Sequence, residues 1–305
     1  MEHSYSRGAG LRCGFVDGVR PGLKVEAMLF RQKRTKGKRE DHMNKTLFFI
    51  VAWLGLSFCA VHAAEMGADE AAQKASHMAY YQGKDGRSSV TMVVTDAQGR
   101  TRERQMTILR FNIQDNGDQK YYVYFYKPND VKGMSYIVWK HPDRDDDRWL
   151  YLPALDLVRR IAASDKRSSF AGTNFLYEDV SGRSITLDAH EMLPGDEKYY
   201  VLKNTPKDEA QVEFSYYKTW IDKNNFIPVK AEYYDKEGKP YRTIEVLEVK
   251  DIQGHPTIVK MKAADLNSGA FTVAEFSDVS YDVGINDDIF TERYLRNPPS
   301  QWIKG

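Results

Sequence analysis

The 305-residue chain balances 44 Lys and Arg against 43 Asp and Glu, for a formal charge of +1, and holds two cysteines. Residues 1–63 carry 11 of the basic and 5 of the acidic residues and both cysteines, so residues 64–305 have a formal charge of about −5 and no thiol. That part offers no basic patch for nucleic acid and no disulfide framework; its roughly 242 residues suffice for one sizeable domain held by its own core.

Residues 1–42 contain RQKRTKGKRE and show no hydrophobic period. They read as disordered upstream sequence ahead of a start at Met43, with a basic nucleic-acid- or membrane-binding arm as the alternative. From Leu47 to Ala60 the chain is uncharged and apolar, Lys45 precedes it, and Val61-His62-Ala63 supplies small residues before Ala64. A basic start, an apolar core and a small-residue cleavage site define a secretory signal peptide over residues 43–63. The apolar run is about 14 residues long, short of the roughly 20 that a spanning helix needs. Bulky Phe58 before Cys59 argues against lipidation there. The expected location is therefore the periplasm.

An Ala-rich stretch from Ala64 to Tyr81 follows, with Met66, Ala72, Ala75, Met78 and Ala79 approximating one apolar face of a helix. The texture then becomes β. SSVTMVVTD, RERQMTILRFNI and KYYVYFYKP are separated by turns at 97–100 and 115–118, as in an antiparallel meander. The C-terminal half repeats the texture in five segments about 12 residues apart, from VEFSYYKTWID to AFTVAEFSDVSYD. Strict alternation in Thr257-Ile258-Val259-Lys260-Met261-Lys262 places Ile258 with Lys260 and Val259 with Met261 on opposite faces. Several other strands are apolar at both parities, which predicts a sheet partly covered on its second side.

Between the meanders, residues 133–195 combine two strands, a charged loop and a helix-like stretch with irregular segments rich in large apolar side chains. The four histidines after residue 63 (His77, His141, His190 and His255) lack metal-ligand spacing. No G-x-S-x-G elbow or phosphate loop is present. Asp143, Asp145, Asp146 and Asp147 alternate with arginines without the Gly and terminal Glu of a calcium loop, and read as a solvated loop. Arg159 and Arg160 either bind an anionic headgroup or an acidic partner, or pair with the fold's own Asp156 or Asp179.

Trp149-Leu150-Tyr151-Leu152-Pro153, then Arg159-Arg160-Ile161, then Phe170-Ala171-Gly172-Thr173-Asn174-Phe175 and Tyr177-Glu178-Asp179, resemble the central block of the outer-membrane lipoprotein-sorting proteins, the LolA-related periplasmic carriers. The order of strands and the closing DDIFTERYL extend the resemblance over most of residues 70–305. It implies one mainly β domain over residues 64–305, a strongly curved, incomplete antiparallel β-barrel with a helical and loop lid over an apolar concavity. The apolar side chains expected in that cavity or lid are Met134, Trp149, Leu152, Leu155, Leu157, Phe170, Phe175, Leu176 and Met192. In function it implies a carrier of a lipid or lipoprotein acyl chain, without cofactor or covalent chemistry, between an inner-membrane transporter donor and an outer-membrane acceptor. The alternative is a non-catalytic accessory subunit of an envelope transporter, and the shortage of nucleophile and metal signals counts against an enzyme.

Overall fold

The computed structural model describes residues 66–303; the expected upstream extension and signal segment lie outside them. Helix α1 spans Ala68–Tyr80. Six strands follow, β1 Asp85–Thr95, β2 Thr101–Asn112, β3 Gln119–Lys127, β4 Ser135–Lys140, β5 Asp147–Leu152 and β6 Leu157–Ile161, before the short helix α2 at Tyr177–Ser181. Seven more complete the sheet: β7 Asp188–Leu193, β8 Tyr199–Pro206, β9 Tyr216–Asp222, β10 Pro228–Tyr234, β11 Pro240–Ile252, β12 His255–Asp265 and β13 Phe271–Tyr281. A one-turn helix, α3, lies at Glu292–Arg296.

All 13 strands join one antiparallel sheet in the order β6-β5-β4-β3-β2-β1-β13-β12-β11-β10-β9-β8-β7. The two meanders read from the sequence are thus fused through β1 and β13, while β6 and β7 remain as unpaired edges and the barrel stays incomplete. Chain order makes the next feature unavoidable. The chain leaves the sheet at one edge, Ile161, and re-enters at the other, Asp188, so the intervening segment crosses the concave face as a lid.

Alternation sorts the first six strands into two apolar faces. Met106 on β2, Tyr121, Val123 and Phe125 on β3, Tyr136 and Val138 on β4, and Leu150 on β5 are buried with Phe170 and Phe175 of the lid. The opposite parity is apolar too. Leu109, Tyr122 and Ile137 bury themselves against Ile285, Ile289, Phe290 and Leu295 of the C-terminal segment, which supplies the second cover that the sequence calls for. Outer-face side chains also fasten that segment by donating to its carbonyls. Tyr122 Oη donates to Tyr294 O (2.8 Å), Trp139 Nε1 to Phe290 O (2.7 Å) and Ser135 Oγ to Leu295 O (2.5 Å). At its root, the Asp85 carboxylate accepts the backbone N–H groups of Val283, Gly284 and Ile285.

The strict alternation expected along β12 is broken. Glu248 pairs with Lys260 but Val249 pairs with Ile258, leaving Val259 as an extra residue in the ladder. This bulge turns Ile258 and Met261 to the same side, where both line a cavity. A second bulge lies on β13, where Asp278 has φ 49° and the register with β1 slips between Ser277 and Ser280. It likewise turns Phe276 and Val279 to one side. Bulges bend the strand and increase its twist, and these two curve the sheet where the cavity forms.

Phe290 of the C-terminal segment is fully buried against the outer face of the sheet. Phe290→Ala is expected to destabilise the domain by about 3–5 kcal/mol through cavity formation, read as a lowered urea midpoint with unchanged slope.

Candidate functional site

Two adjoining cavities, of about 210 and 160 Å³, lie between the concave face, helix α1 and the lid. They share Ala79, Tyr80, Asp179, Ile258 and Met261 as lining residues. In the larger one the strands contribute Met92, Ile108, Met261, Ala274 and Phe276, and the lid contributes Phe170, Phe175 and Val180. The register lines up part of this floor: Ala274 is directly opposite Met92 on β1 and Met261 on β12. Apolar concavities of this kind suit hydrocarbon, and thioether side chains adapt to a flexible chain.

Helix α1 forms because its alanines are strong helix formers and because Ala71, Ala72 and Ala75 bury one face beside Leu202 and Ile221. Its last turn delivers Met78, Ala79 and Tyr80 to the cavity. Tyr80 also meets the lid at Gly182, whose φ is 77°; a Cβ there would stand 2.6 Å from the tyrosine ring. A side chain at position 182 would therefore be strained by backbone and neighbour alike.

The lid is held by polar contacts as well as by its aromatics. Phe170 packs at 5.6 Å from both Phe125 and Tyr136. Thr272 Oγ1 on β13 donates to Asn174 Oδ1 (2.8 Å) and accepts from Asn174 N (2.9 Å). Arg242 of β11 pairs with Asp179, whose carboxylate also accepts Leu176 N–H. Buried Glu178 lies between Arg167 (2.7 Å) and Arg183 (3.2 Å). Burial alone would raise its pKa, but first Arg167 and then Arg183 outweigh it and hold the carboxyl below its ordinary range. Arg167 continues to Glu213 (2.8 Å) and Arg183 to Asp188 (2.8 Å), so the network ties the lid to the second meander.

On the first meander one tie is Lys140, 2 % exposed. Its ammonium donates to Ser181 O (2.6 Å) and lies 5.1 and 5.5 Å from the rings of Tyr80 and Tyr81. Burial pushes its pKa down to about 8, against the opposing pull of Asp146 and Glu178.

No curated protein matches the chain. A family model carrying the description "Uncharacterized protein" matches residues 117–297, more than half of the chain. Among solved structures, a DUF1329 family protein from Desulfovibrio piger is 27% identical with a TM-score of 0.69, covering 75% of this chain and 97% of that one. A domain from Vibrio parahaemolyticus, described as a candidate outer membrane lipoprotein-sorting protein, is 26% identical with a TM-score of 0.69, over 75% of this chain and 98% of its own. The chain belongs to the LolA-like family. A LolA superfamily protein from Nitrosomonas europaea, 21% identical with a TM-score of 0.59, shares the fold over 75% of this chain and its own full length.

The LolA-like architecture distributes the nine apolar residues expected at the site unevenly. Phe170 and Phe175 line the larger cavity. Met134 is buried in the concave core and Leu152 packs against it. Met192 packs against the α1 cluster, and Leu176 is half-buried at the start of α2. Trp149 stands on the other face, 5.2 Å from Trp139, because odd positions of β5 point away from the lid. Leu155 and Leu157 are exposed at the β5–β6 edge.

The charged residues also depart from expectation. Asp143, Arg144 and Asp145 are exposed, but Asp146 turns inward, accepting from Arg148 Nη2 (2.6 Å) and Ser181 Oγ (3.2 Å). The loop is solvated only at its tip because Asp146 is drawn in to buried Arg148. Arg159 lies 3.5 Å from Asp165, and Arg160 pairs with Asp147 while covering Trp149. Asp156 and Asp179, the partners considered for them, are taken by Arg296 and Arg242. Among the described residues no group of three or more His, Cys, Asp or Glu side chains could hold a metal ion.

Sequence reasoning passed over the strand residues of the cavity floor, Met92, Ile108, Met261, Ala274 and Phe276. The available signal was the inward parity of Met106, Ile108 and Arg110 on β2.

Lys140 gives the lid a pH signature. Its pKa falls from 10.5 in the unfolded chain to about 8 in the fold, so between these values the unfolded state binds the extra proton and stability rises with pH. Below pH 8 both states are protonated and the burial penalty is constant. From pH 8 to 9.5 the wild-type unfolding free energy should gain on the order of 1–2 kcal/mol relative to Lys140→Met, in paired urea titrations.

Proposed function

We propose that the chain is a periplasmic carrier that shields the acyl chain of a lipid or lipoprotein in the cavity beneath its lid. Cargo would pass from an inner-membrane transporter to an outer-membrane acceptor, without covalent chemistry or cofactor. The observation that carries this reading is the apolar cavity bounded by Met92, Ile108, Met261, Ala274 and Phe276 on one side and Phe170 and Phe175 on the other. The lipoprotein-sorting fold and the secretory signal read at residues 43–63 support the compartment.

The physical case rests on transfer free energy. Burying hydrocarbon is worth ~0.8 kcal/mol per methylene, so about ten carbons supply some 8 kcal/mol, on the micromolar scale before ordering costs. The lid's polar ties let it reopen for release. Such contacts exchange for water at a net cost of about 0.5–1.5 kcal/mol each for neutral hydrogen bonds and about 1.5–3 kcal/mol where a charged group takes part.

Native mass spectrometry and organic extraction of protein purified from its own periplasm should yield a co-purified lipid or acylated peptide in roughly stoichiometric amount. Ala274→Leu, which adds volume to the fully buried floor of the cavity, should reduce that cargo several-fold with the circular dichroism spectrum preserved. Protein recovered free of lipid from a native envelope extract, with no uptake of added acyl chains, would overturn the proposal.

A further inference from the structure

One end of the larger cavity is not apolar. On β2 the inward positions run Met106, Ile108, Arg110, so a guanidinium stands where its strand neighbours are apolar. Neutral groups alone hold it. Its Nη1 donates to Asn112 Oδ1 (2.7 Å) and its Nη2 to the Gln82 carbonyl. Of the five N–H donors of an arginine, three are thus left without a protein acceptor. No carboxylate pairs with Arg110 among the described residues, and Asp179, the carboxylate lining the cavity, is committed to Arg242 and Leu176 N–H. Arg87 also borders the cavity but is turned to the Trp302 carbonyl (2.8 Å).

The space before the guanidinium is kept open. Gly86 on β1 is directly opposite Arg110 in the register. A Cβ at that position would lie 3.5 Å from Arg110 Nη2 and 3.6 Å from the Tyr281 ring. These are ordinary van der Waals distances, so a side chain would occupy this volume and the glycine leaves it vacant. Two hydroxyls complete this end of the cavity, Tyr281 Oη and Thr257 Oγ1, 2.9 Å apart. A half-buried guanidinium without a counter-ion, beside an apolar cavity, is matched by a ligand that brings its own negative charge, since charge-assisted hydrogen bonds strengthen away from water.

Building on the carrier reading above, we infer that the cargo is an anionic amphiphile whose carboxylate or phosphate pairs with Arg110 while its hydrocarbon tail covers Met92, Met261 and Ala274. The head would take the free donors of the guanidinium, and Gly86 would leave it room. A neutral acyl ester would fill the apolar part and leave the charge unmatched.

The test uses the delipidated protein as purified from its own periplasm, titrated calorimetrically at pH 7.5 with dodecanoate, dodecyl phosphate and dodecanol. Both anions should bind at least tenfold more tightly than the alcohol. Arg110→Gln should remove that advantage and leave dodecanol binding within about twofold. Gly86→Val keeps the charge but fills the space before it, and should weaken the anions in the same way, which guards against misfolding of a single variant. Ala274→Leu should weaken all three ligands. A tighter carboxylate assigns the cargo to free fatty acids, and a tighter phosphate to phospholipid headgroups. Equal binding of anions and alcohol, or anion binding indifferent to Arg110→Gln, would overturn the role of Arg110 while leaving the carrier reading intact. Failure of all three to bind would overturn the carrier reading and this inference with it.

Discussion

The antiparallel pairing of β1 with β13 organises the rest of the molecule. Without it the chain would hold two separate meanders, each with exposed edges. With it, Val90 through Thr95 lie against Phe276 through Phe271 and the two become one sheet of 13 strands. Because β1 begins in the middle of that sheet, the first meander must end at one edge and the second must start at the other. The connection from Ile161 to Asp188 then has only the concave side available, since the C-terminal segment occupies the outer face of the first meander. The lid is therefore a consequence of strand order, and the cavity is the space that the lid and helix α1 leave over a bulged floor.

The two covers of the sheet are built differently, and the difference suits their tasks. The C-terminal segment is fixed by fully buried Phe290 and Leu295 and by side chains that donate to its carbonyls. The lid inserts Phe170 and Phe175, packs Tyr177 and Val180 beside them, and is also tied by ion pairs and single hydrogen bonds, through Glu178, Asp179, Asn174 and Ser181. Removing one partner of a buried pair is costly because it leaves an uncompensated charge. Separating a pair into water lets both charges be solvated, which makes such ties compatible with an opening lid. Lys140 belongs to both sides of this arrangement, reaching the lid at Ser181 and the end of α1 at Tyr80 and Tyr81. It is one of the contacts that join the lid to helix α1, beside that of Tyr80 with Gly182.

Much of this was legible in the residues. The helix at α1, the antiparallel texture of the strands, the two apolar parities of KYYVYFYK and the need for a second cover follow from local alternation and turn chemistry. The W-x-Y-L-P block pointed to the family, but being near the lid did not place Trp149 in the cavity. It sits at an odd position of β5, and parity sends it to the outer face with Trp139. Alternation failed where the ladder slips: at Val259 and Asp278 one extra residue reverses which side chains face inward, and only the pairing register records it. Arg110 escaped notice because a charge at the end of an apolar strand resembles a surface residue until the opposite strand is known to present Gly86.

By itself the sequence determined helix α1, the strands of the two meanders, the family and the presence of two apolar faces, because these rest on spacing along the chain and on side-chain type. It marks only two strands in residues 133–195, which hold four, and none at Tyr199–Pro206. Only the tertiary structure decided which face holds the cavity, which residues line it and where an arginine is left without a counter-ion. Those features depend on contacts between residues far apart in the chain, Gly86 with Arg110, Met92 with Ala274, Asp179 with Arg242, and no local pattern encodes them.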